Sequence, residues 1–437
     1  MIENLALFGI PLANATPFLS FPVLGMAILS CILIYLAVLL IGQLRQIAAL
    51  EHLQKIELKN LVERSELRLK AINLELISER GAWRGLRKFE IQKKVIEDTA
   101  RSICSFYLVP HDGKPLPSFR PGQFLTFHLD IPNNPDTVRC YSLSNDPNDS
   151  EAYRVSIKKI PAPKDKPDLS PGLSSNYFHS LSEGTFLDIE APAGDFYLDI
   201  EKDNPVVLIG GGIGLTPVYS MLSYIIGTNP DRETWFFYGV RNGDEHIWKE
   251  ELNQFRSHPN IHIIICYSNP NETDKYEIDY DVKGRVSVSL IKEKLLINGN
   301  NYEFYLCGPP PMMKSIISDL DNWAVPTEHV HYEAFGSASI VKEEQATHLA
   351  NNETYEIEFV RSGKTLLWDG GDKNIWNFAQ KHGLILPKGC GAGNCGQCKT
   401  AIRAGNVQYP KKPSKRIEQG SCLTCCSVPK GDLKLDA

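Results

Sequence analysis

Between residues 388 and 400 the chain reads KGCGAGNCGQCKT, with Cys390, Cys395 and Cys398 inside nine positions that also hold three glycines. A segment so poor in side chains buries almost nothing of its own, so it keeps one shape only if something binds the thiols. Of eleven cysteines in the chain, six crowd the C-terminal end at 390, 395, 398, 422, 425 and 426. That is not the spread of a disulfide framework, and it points to thiols held reduced for metal binding. The spacing is C-x4-C-x2-C, whereas zinc sites are usually built from C-x2-C pairs, so zinc is the rival reading.

At 437 residues the chain has room for about three domains. Its formal net charge is −6 and no dense Lys/Arg run appears, which gives no footing for nucleic acid. From Phe21 to Gly42, 22 residues pass without a charge, enough at about 1.5 Å per residue to cross a hydrocarbon core of roughly 30 Å. The run is too long for a signal-peptide core, so a retained anchor at about 21–42 within an N-terminal segment 1–42 is expected. Arg45, Lys55, Lys59, Arg64, Arg68 and Lys70 follow it and no cation precedes it. The positive-inside tendency therefore places the rest of the chain on the cytoplasmic side of an inner or cytoplasmic membrane, as a single-pass protein. Residues 43–82 lack Gly and Pro up to Gly81 and repeat apolar residues at Leu58, Val62, Leu69, Ile72 and Leu76, the pattern of a helical stalk.

Past residue 83 the pattern turns to short strands separated by turn residues, in the manner of an antiparallel barrel over 83–203. Two stretches there carry more chemistry: VRCYSLSN, with Arg139, Tyr141 and Ser142, and PGLSSNYFH, with Gly172, Ser174 and Ser175 at a helix start. Residues 204–338 alternate buried strands with helical patterns, a doubly wound α/β unit. Its first turn, GGGIGLTP, strips side chains at Gly211, Gly212 and Gly214, so backbone can approach a pyrophosphate at a helix N-terminus. A polar connector, 339–353, leads to the cysteine-bearing module 354–437.

PGQF, then RxYS, then GxxS, then GGGIGxTP and CGPPPM, in that order, resemble the flavin and nicotinamide domains of the ferredoxin-NADP reductase superfamily, nearest in wording to flavohaemoglobin-type reductases. The resemblance implies that Arg139 holds the flavin pyrophosphate, Tyr141 stacks on the ring, Ser142 lies near N5, and Gly172, Ser174 and Ser175 meet phosphate. It puts Gly211, Gly212, Gly214 and Thr216 on NAD, Cys307 and Gly308 beside the hydride-transfer site, and Glu333 to Phe335 over the flavin. Ser142, Cys307 and Glu333 are then the candidate catalytic residues. FAD is implied; an oxygenase-reductase relative with the same module order uses FMN. The C-terminal module resembles plant-type [2Fe-2S] ferredoxins, a β-grasp fold. Their LxC context selects Cys425 as fourth ligand after Cys390, Cys395 and Cys398, with Cys422 the fallback and Cys426 a spectator.

Asp244 and Glu245 follow Arg241 at the end of the second α/β strand and oppose a 2′-phosphate, which favours NADH over NADPH. The expected function is a membrane-anchored reductase carrying electrons from NADH through FAD and the cluster to a separate electron-accepting protein. No globin segment, Rieske-type pair or His-rich diiron motif is present to finish an oxidation within this chain. A membrane-associated oxygenase, hydroxylase or desaturase is the expected acceptor, and a quinone-reducing respiratory entry subunit and a non-enzymatic redox sensor are the alternatives.

Overall fold

The structure, a computed structural model, describes residues 26 and 29–48, individual positions from 50 to 65, then 83, 85–162, 170–295, 301–335, and 354–437 apart from 388, 392, 394, 411–412 and 414–416. It comprises two compact units, Met1–Arg68 and Leu69–Ala437. In the first, helix α1 (Leu29–Lys55) runs through Gly42 without a break and is long and apolar enough to cross a membrane. Its apolar side chains are exposed on every side, four in succession from Leu33 to Leu36. Most of the second half of the expected stalk lies outside the described residues.

The second unit begins with six antiparallel strands: β1 (Arg87–Ile96), β2 (Ile103–Pro110), β3 (Phe124–Ile131), β4 (Asn134–Ser142), β5 (Tyr153–Lys158) and β6 (Phe186–Ala193). Their order is β4-β3-β6-β1-β2-β5, and a bridge from Leu143 to Val155 brings the two edges together as a barrel. Aromatic and β-branched side chains favour such pleated surfaces, and here Phe89, Phe106, Phe127, Tyr153 and Val155 fill the interior. Helix α2 (Leu173–Ser180) closes one end by driving Phe178 edge-on between Phe106 and Phe127.

Next comes a parallel sheet of β7 (Val206–Gly211), β8 (Thr234–Val240), β9 (Ile261–Tyr267), β10 (Val282–Lys283), β11 (Glu303–Gly308) and β12 (Val330–Ala334). Helices α3 (Leu215–Thr228), α4 (Lys249–Phe255), α5 (Val288–Lys294) and α6 (Pro310–Asn322) alternate with them. Along β7 the side chains divide, Val206 and Leu208 into one core and Val207 and Ile209 into another. Both faces are therefore covered, which is why the strand reads as an unbroken apolar run. The order β10-β9-β8-β7-β11-β12 reverses direction between β7 and β11. In open α/β sheets such a switch point leaves a crevice at the carboxyl ends of the two strands.

The last region is a five-stranded sheet, β14-β13-β19-β15-β17, made of β13 (Tyr355–Phe359), β14 (Lys364–Trp368), β15 (Lys399–Ala404), β17 (Ser421–Leu423) and β19 (Leu433–Leu435). A small ribbon, β16 (Val407–Gln408) with β18 (Val428–Pro429), lies beside it. The sheet grips helix α7 (Ile375–Lys381) through Ile375, Phe378 and Ala379. Asn374 caps that helix, its Oδ1 accepting from the Asn377 N–H at 2.8 Å.

Candidate functional site

The crevice at the switch point is shaped by absent side chains. A Cβ on Gly214 would run into the backbone of Cys307 and Gly308, and one on Gly211 would meet Met312 Sδ at 2.5 Å. The turn after β7 and the end of β11 can thus lie this close only without side chains. Thr216, in the first turn of α3, is buried and donates its hydroxyl to the Ile213 carbonyl at 3.1 Å. Cys307 is fully buried, and burial, reinforced by the Glu333 carboxylate, holds its thiol well above its ordinary pKa. It is a neutral thiol, packed between its register partners Gly210 on β7 and Glu333 on β12.

Glu333 turns toward the barrel. Ser142, the last residue of β4, donates its hydroxyl to Glu333 Oε2 at 3.3 Å, across 191 positions of sequence. The three candidate catalytic residues are therefore neighbours at the crevice mouth, and Phe335 packs beside them against the α/β core. One step back along β4, the Tyr141 ring stands edge-on to Phe178 at 5.0 Å and Phe127 at 5.8 Å, and burial raises its hydroxyl pKa. Arg139 is exposed and donates from Nη1 to its own strand at the Val138 carbonyl, 2.7 Å away.

At the start of α2 the two serines differ. Ser175 is engaged, donating to the Gly172 carbonyl and accepting from the Ile160 N–H, both at 3.2 Å. Ser174 Oγ is buried without a partner. A buried orphan hydroxyl beside a helix N-terminus, with an arginine on the facing strand, suits a phosphate-bearing cofactor.

In the C-terminal module the ligand candidates come in two pairs. The Cys390 N–H donates to Cys395 Sγ at 3.1 Å and the Cys395 N–H to Cys390 Sγ at 3.3 Å, while Cys398 and Cys425 Sγ atoms lie 3.0 Å apart. Among the described residues no three Cys, His, Asp or Glu side chains converge as they would around a single ion. Two thiol pairs with backbone N–H groups aimed at sulfur suit a two-iron cluster better than a single tetrahedral ion. Hydrogen bonds from Cys398 and Cys426 hold the Cys425 thiol far below the usual range. Cys422 points the other way, fully buried in the core with Ile357 and Phe378. Cys426 borders the loop, where its sulfur would stand 2.8 Å from a Cβ on Gly393.

Sequence reasoning missed the residues that hold these parts in place. Asn374 Nδ2 donates to the Cys425 carbonyl at 2.8 Å, the Leu423 N–H donates to the Tyr409 hydroxyl at 3.1 Å, and Trp376 Nε1 donates to the Leu386 carbonyl at 3.1 Å. Cys140, between Arg139 and Tyr141, is near enough to the Cys395 thiol that, with burial and against the lowering effect of Cys390, it raises that thiol to about 12. Only the alternation of β4, which turns Cys140 away from the face of Tyr141, could have signalled it. The argument for NADH also needs revision. Glu245 is ion-paired with Lys158 of the barrel at 2.8 Å, so the repulsion of a 2′-phosphate rests on Asp244, which Asn271 holds at 2.8 Å.

Comparison with known families agrees with this layout. Residues 89–197 match the oxidoreductase FAD-binding domain, 208–317 the oxidoreductase NAD-binding domain, and 358–430 the 2Fe-2S iron-sulfur cluster binding domain. The chain is an FAD-, NAD- and [2Fe-2S]-binding electron-transfer reductase. The flavohemoprotein of Halalkalibacterium halodurans is 39% identical to this reductase over 261 residues, 59% of this chain and 62% of that protein. The chain thus spans less than two thirds of the length of that curated relative. The solved flavohem-like FAD/NAD-binding domain of nitric oxide dioxygenase from Vibrio cholerae is 30% identical, with a TM-score of 0.50, and aligns over 58% of this reductase and all of that domain. Phthalate dioxygenase reductase, described as a modular structure for electron transfer from pyridine nucleotides to [2Fe-2S], is 25% identical with a TM-score of 0.51, covering 81% of this chain and 98% of that one.

Proposed function

We propose that this protein is a membrane-anchored, NADH-dependent reductase whose cluster passes electrons to a separate protein, an oxygenase, hydroxylase or desaturase. The observation that carries the reading is the end of β4. Within four residues, Ser142 donates to Glu333 of the α/β domain, Tyr141 packs on Phe178, and Cys140 is near enough to Cys395 of the cysteine loop to raise its thiol pKa. On this reading three cofactor sites would share one strand, which suits a relay by keeping transfer distances short.

When bound, FAD takes a hydride from NADH and releases electrons singly, and the [2Fe-2S] cluster accepts them one at a time. Arg139 and the Ser174 hydroxyl would hold the FAD phosphates, and Tyr141 would pack on its ring. Gly211, Gly212, Gly214 and Thr216 would receive the dinucleotide phosphates, with Gly308 and Cys307 bounding the nicotinamide. Ser142 and Glu333, hydrogen-bonded to each other, would offer a proton-bearing pair to the flavin. Cys390, Cys395, Cys398 and Cys425 would ligate the cluster. The acceptor reading draws on phthalate dioxygenase reductase, a structure for electron transfer from pyridine nucleotides to [2Fe-2S]. The anchor reading draws on α1, which is long and apolar enough to cross a membrane.

Anaerobic addition of NADH to the purified full-length protein tests this directly. Bleaching of the flavin followed by the electron paramagnetic resonance signal of a reduced [2Fe-2S] cluster is the expected result. Bleaching without that signal would remove the cluster from the pathway.

A further inference from the structure

A buried cation joins the two reductase domains. Arg154, on β5 of the barrel, is only 6% exposed, and its Nε donates to the Ser144 carbonyl at 3.1 Å, with Nη2 bonded to the same oxygen. The guanidinium lies over the rings of Trp248 at 4.3 Å and Tyr219 at 5.3 Å, both from the α/β domain. Tyr219 in turn donates its hydroxyl to Glu251 at 3.3 Å. Beside this cluster, in which the Tyr219 and Trp248 rings lie 4.5 Å apart, the Ser220 hydroxyl donates to the Asn145 carbonyl at 2.8 Å, and Asn145 Oδ1 accepts from the Arg154 N–H at 3.0 Å.

The two sides of this contact are functional segments. Ser144 and Asn145 follow Ser142 by two and three residues, just past the end of β4. Tyr219 and Ser220 lie one turn beyond Thr216 on α3, whose N-terminus faces the dinucleotide crevice. The site is also held against local cost: Trp248 adopts φ of 55°, rare for a bulky residue, and its indole N–H is buried without a partner. Strain of this kind persists where surrounding structure over-determines a position, and it clusters at functional sites.

We propose that Arg154 is a positioning residue, which by packing against the joined rings of Trp248 and Tyr219, 4.5 Å apart, sets the approach of the nicotinamide to the flavin. The reacting groups are not touched by Arg154. The step it acts on is the balanced one, in which NADH becomes NAD+ and its hydride, two electrons and one proton, reaches FAD. This rests on the reading of the Ser142–Glu333 crevice as the place where NADH meets flavin. An ammonium in place of the planar guanidinium keeps the charge but loses the fork on Ser144 and the stacking. A small misplacement of reacting atoms can slow a reaction by about a hundredfold.

Stopped-flow reduction of the holoenzyme by saturating NADH tests the proposal, using Arg154→Lys and, independently, Trp248→Leu. In both variants flavin and iron content should match the wild type and the dissociation constant for NADH should change by no more than about twofold. Flavin bleaching should slow by roughly ten- to a hundredfold, and the long-wavelength charge-transfer absorbance of the NADH complex should fall. Trp248→Phe, which keeps a ring face, should restore most of both signals. Wild-type bleaching rates and charge-transfer intensity in Arg154→Lys would overturn the proposal, as would a defect that saturating NADH removes. If the wild-type flavin itself is not bleached by NADH, the crevice reading has failed instead.

Discussion

The flavin–nicotinamide half and the cysteine-bearing module solve the same problem, holding a redox group, in opposite ways. In the first, folded backbone makes the site: the crevice follows from strand order, and Ser142 and Glu333 meet because two large cores place them together. In the second, Cys398 and Cys425 form only a small buried group with Leu423, and the bound cluster would complete the structure. The halves also differ in charge. Residues 354–437 hold 13 Lys and Arg against 7 Asp and Glu, a surplus of six positive charges in a chain whose net charge is −6. Ile385, five residues before the first cysteine of the loop, is 99% exposed.

The sharpest break between the halves should come from the ligands. Cys398→Ser and Cys425→Ser should each abolish the cluster signal and all electron delivery to a protein acceptor, while NADH still bleaches the flavin. Cys422→Ala, a change in the core, should keep the signal and cost about 1–2 kcal/mol of stability in denaturant unfolding. Loss of flavin bleaching in the ligand variants would mean that the two halves fold as one.

Next in size, Arg139→Ala should weaken FAD retention by roughly ten- to a hundredfold, since charge-assisted hydrogen bonds to phosphate are worth about 1.5–3 kcal/mol. Equilibrium dialysis against free FAD reads this, and the cluster content should not change. A variant that binds FAD as the wild type does would move the phosphate contact elsewhere.

The charge difference sharpens the comparison further. Reduction of an acidic electron-accepting protein should slow by roughly three- to tenfold between about 0.05 and 0.3 M salt, because screening removes steering. A basic acceptor should show no such loss, and equal salt profiles for the two would separate the positive surplus from docking.

The smallest effect on turnover belongs to His246, buried beneath β8 with Nδ1 2.8 Å from the Tyr267 hydroxyl. Burial, aided by Lys249, lowers its pKa from 6.5 to about 4. Below pH 6.5 the unfolded chain takes up a proton that the folded one refuses, so this contribution is full above pH 6.5 and lost as pH falls toward 4. It amounts to at most about 3 kcal/mol. His246→Gln should flatten the melting temperature of the α/β domain between pH 7 and 4, leaving turnover at pH 7 unaltered. An unchanged pH profile would assign the acid sensitivity to other groups.

Much of the architecture was legible because its causes are local. Helix α7 runs from Ile375 to Lys381 because a capping side chain and an apolar stripe act within a few residues. The α/β strands announced themselves as apolar runs because both faces are covered. The Glu245 argument misled because a carboxylate's effect depends on its partner, and Lys158 lies 87 positions away. Cys422 and Cys425 are three residues apart and indistinguishable by spacing, yet one faces the sheet core and the other Cys398.

What the sequence by itself determined, then, is the kind of group each segment can hold: thiols in a glycine loop, bare backbone at a strand end, an arginine and a tyrosine on one strand. These depend on residue chemistry and on neighbours within a turn. Only the tertiary structure decided that Ser142 meets Glu333, that Cys140 comes near Cys395, and that Arg154 packs on the Tyr219–Trp248 pair. Those contacts join residues some 65 to 255 positions apart. No local propensity encodes such meetings, because they arise when whole cores pack and the strand order brings distant chain ends to one edge.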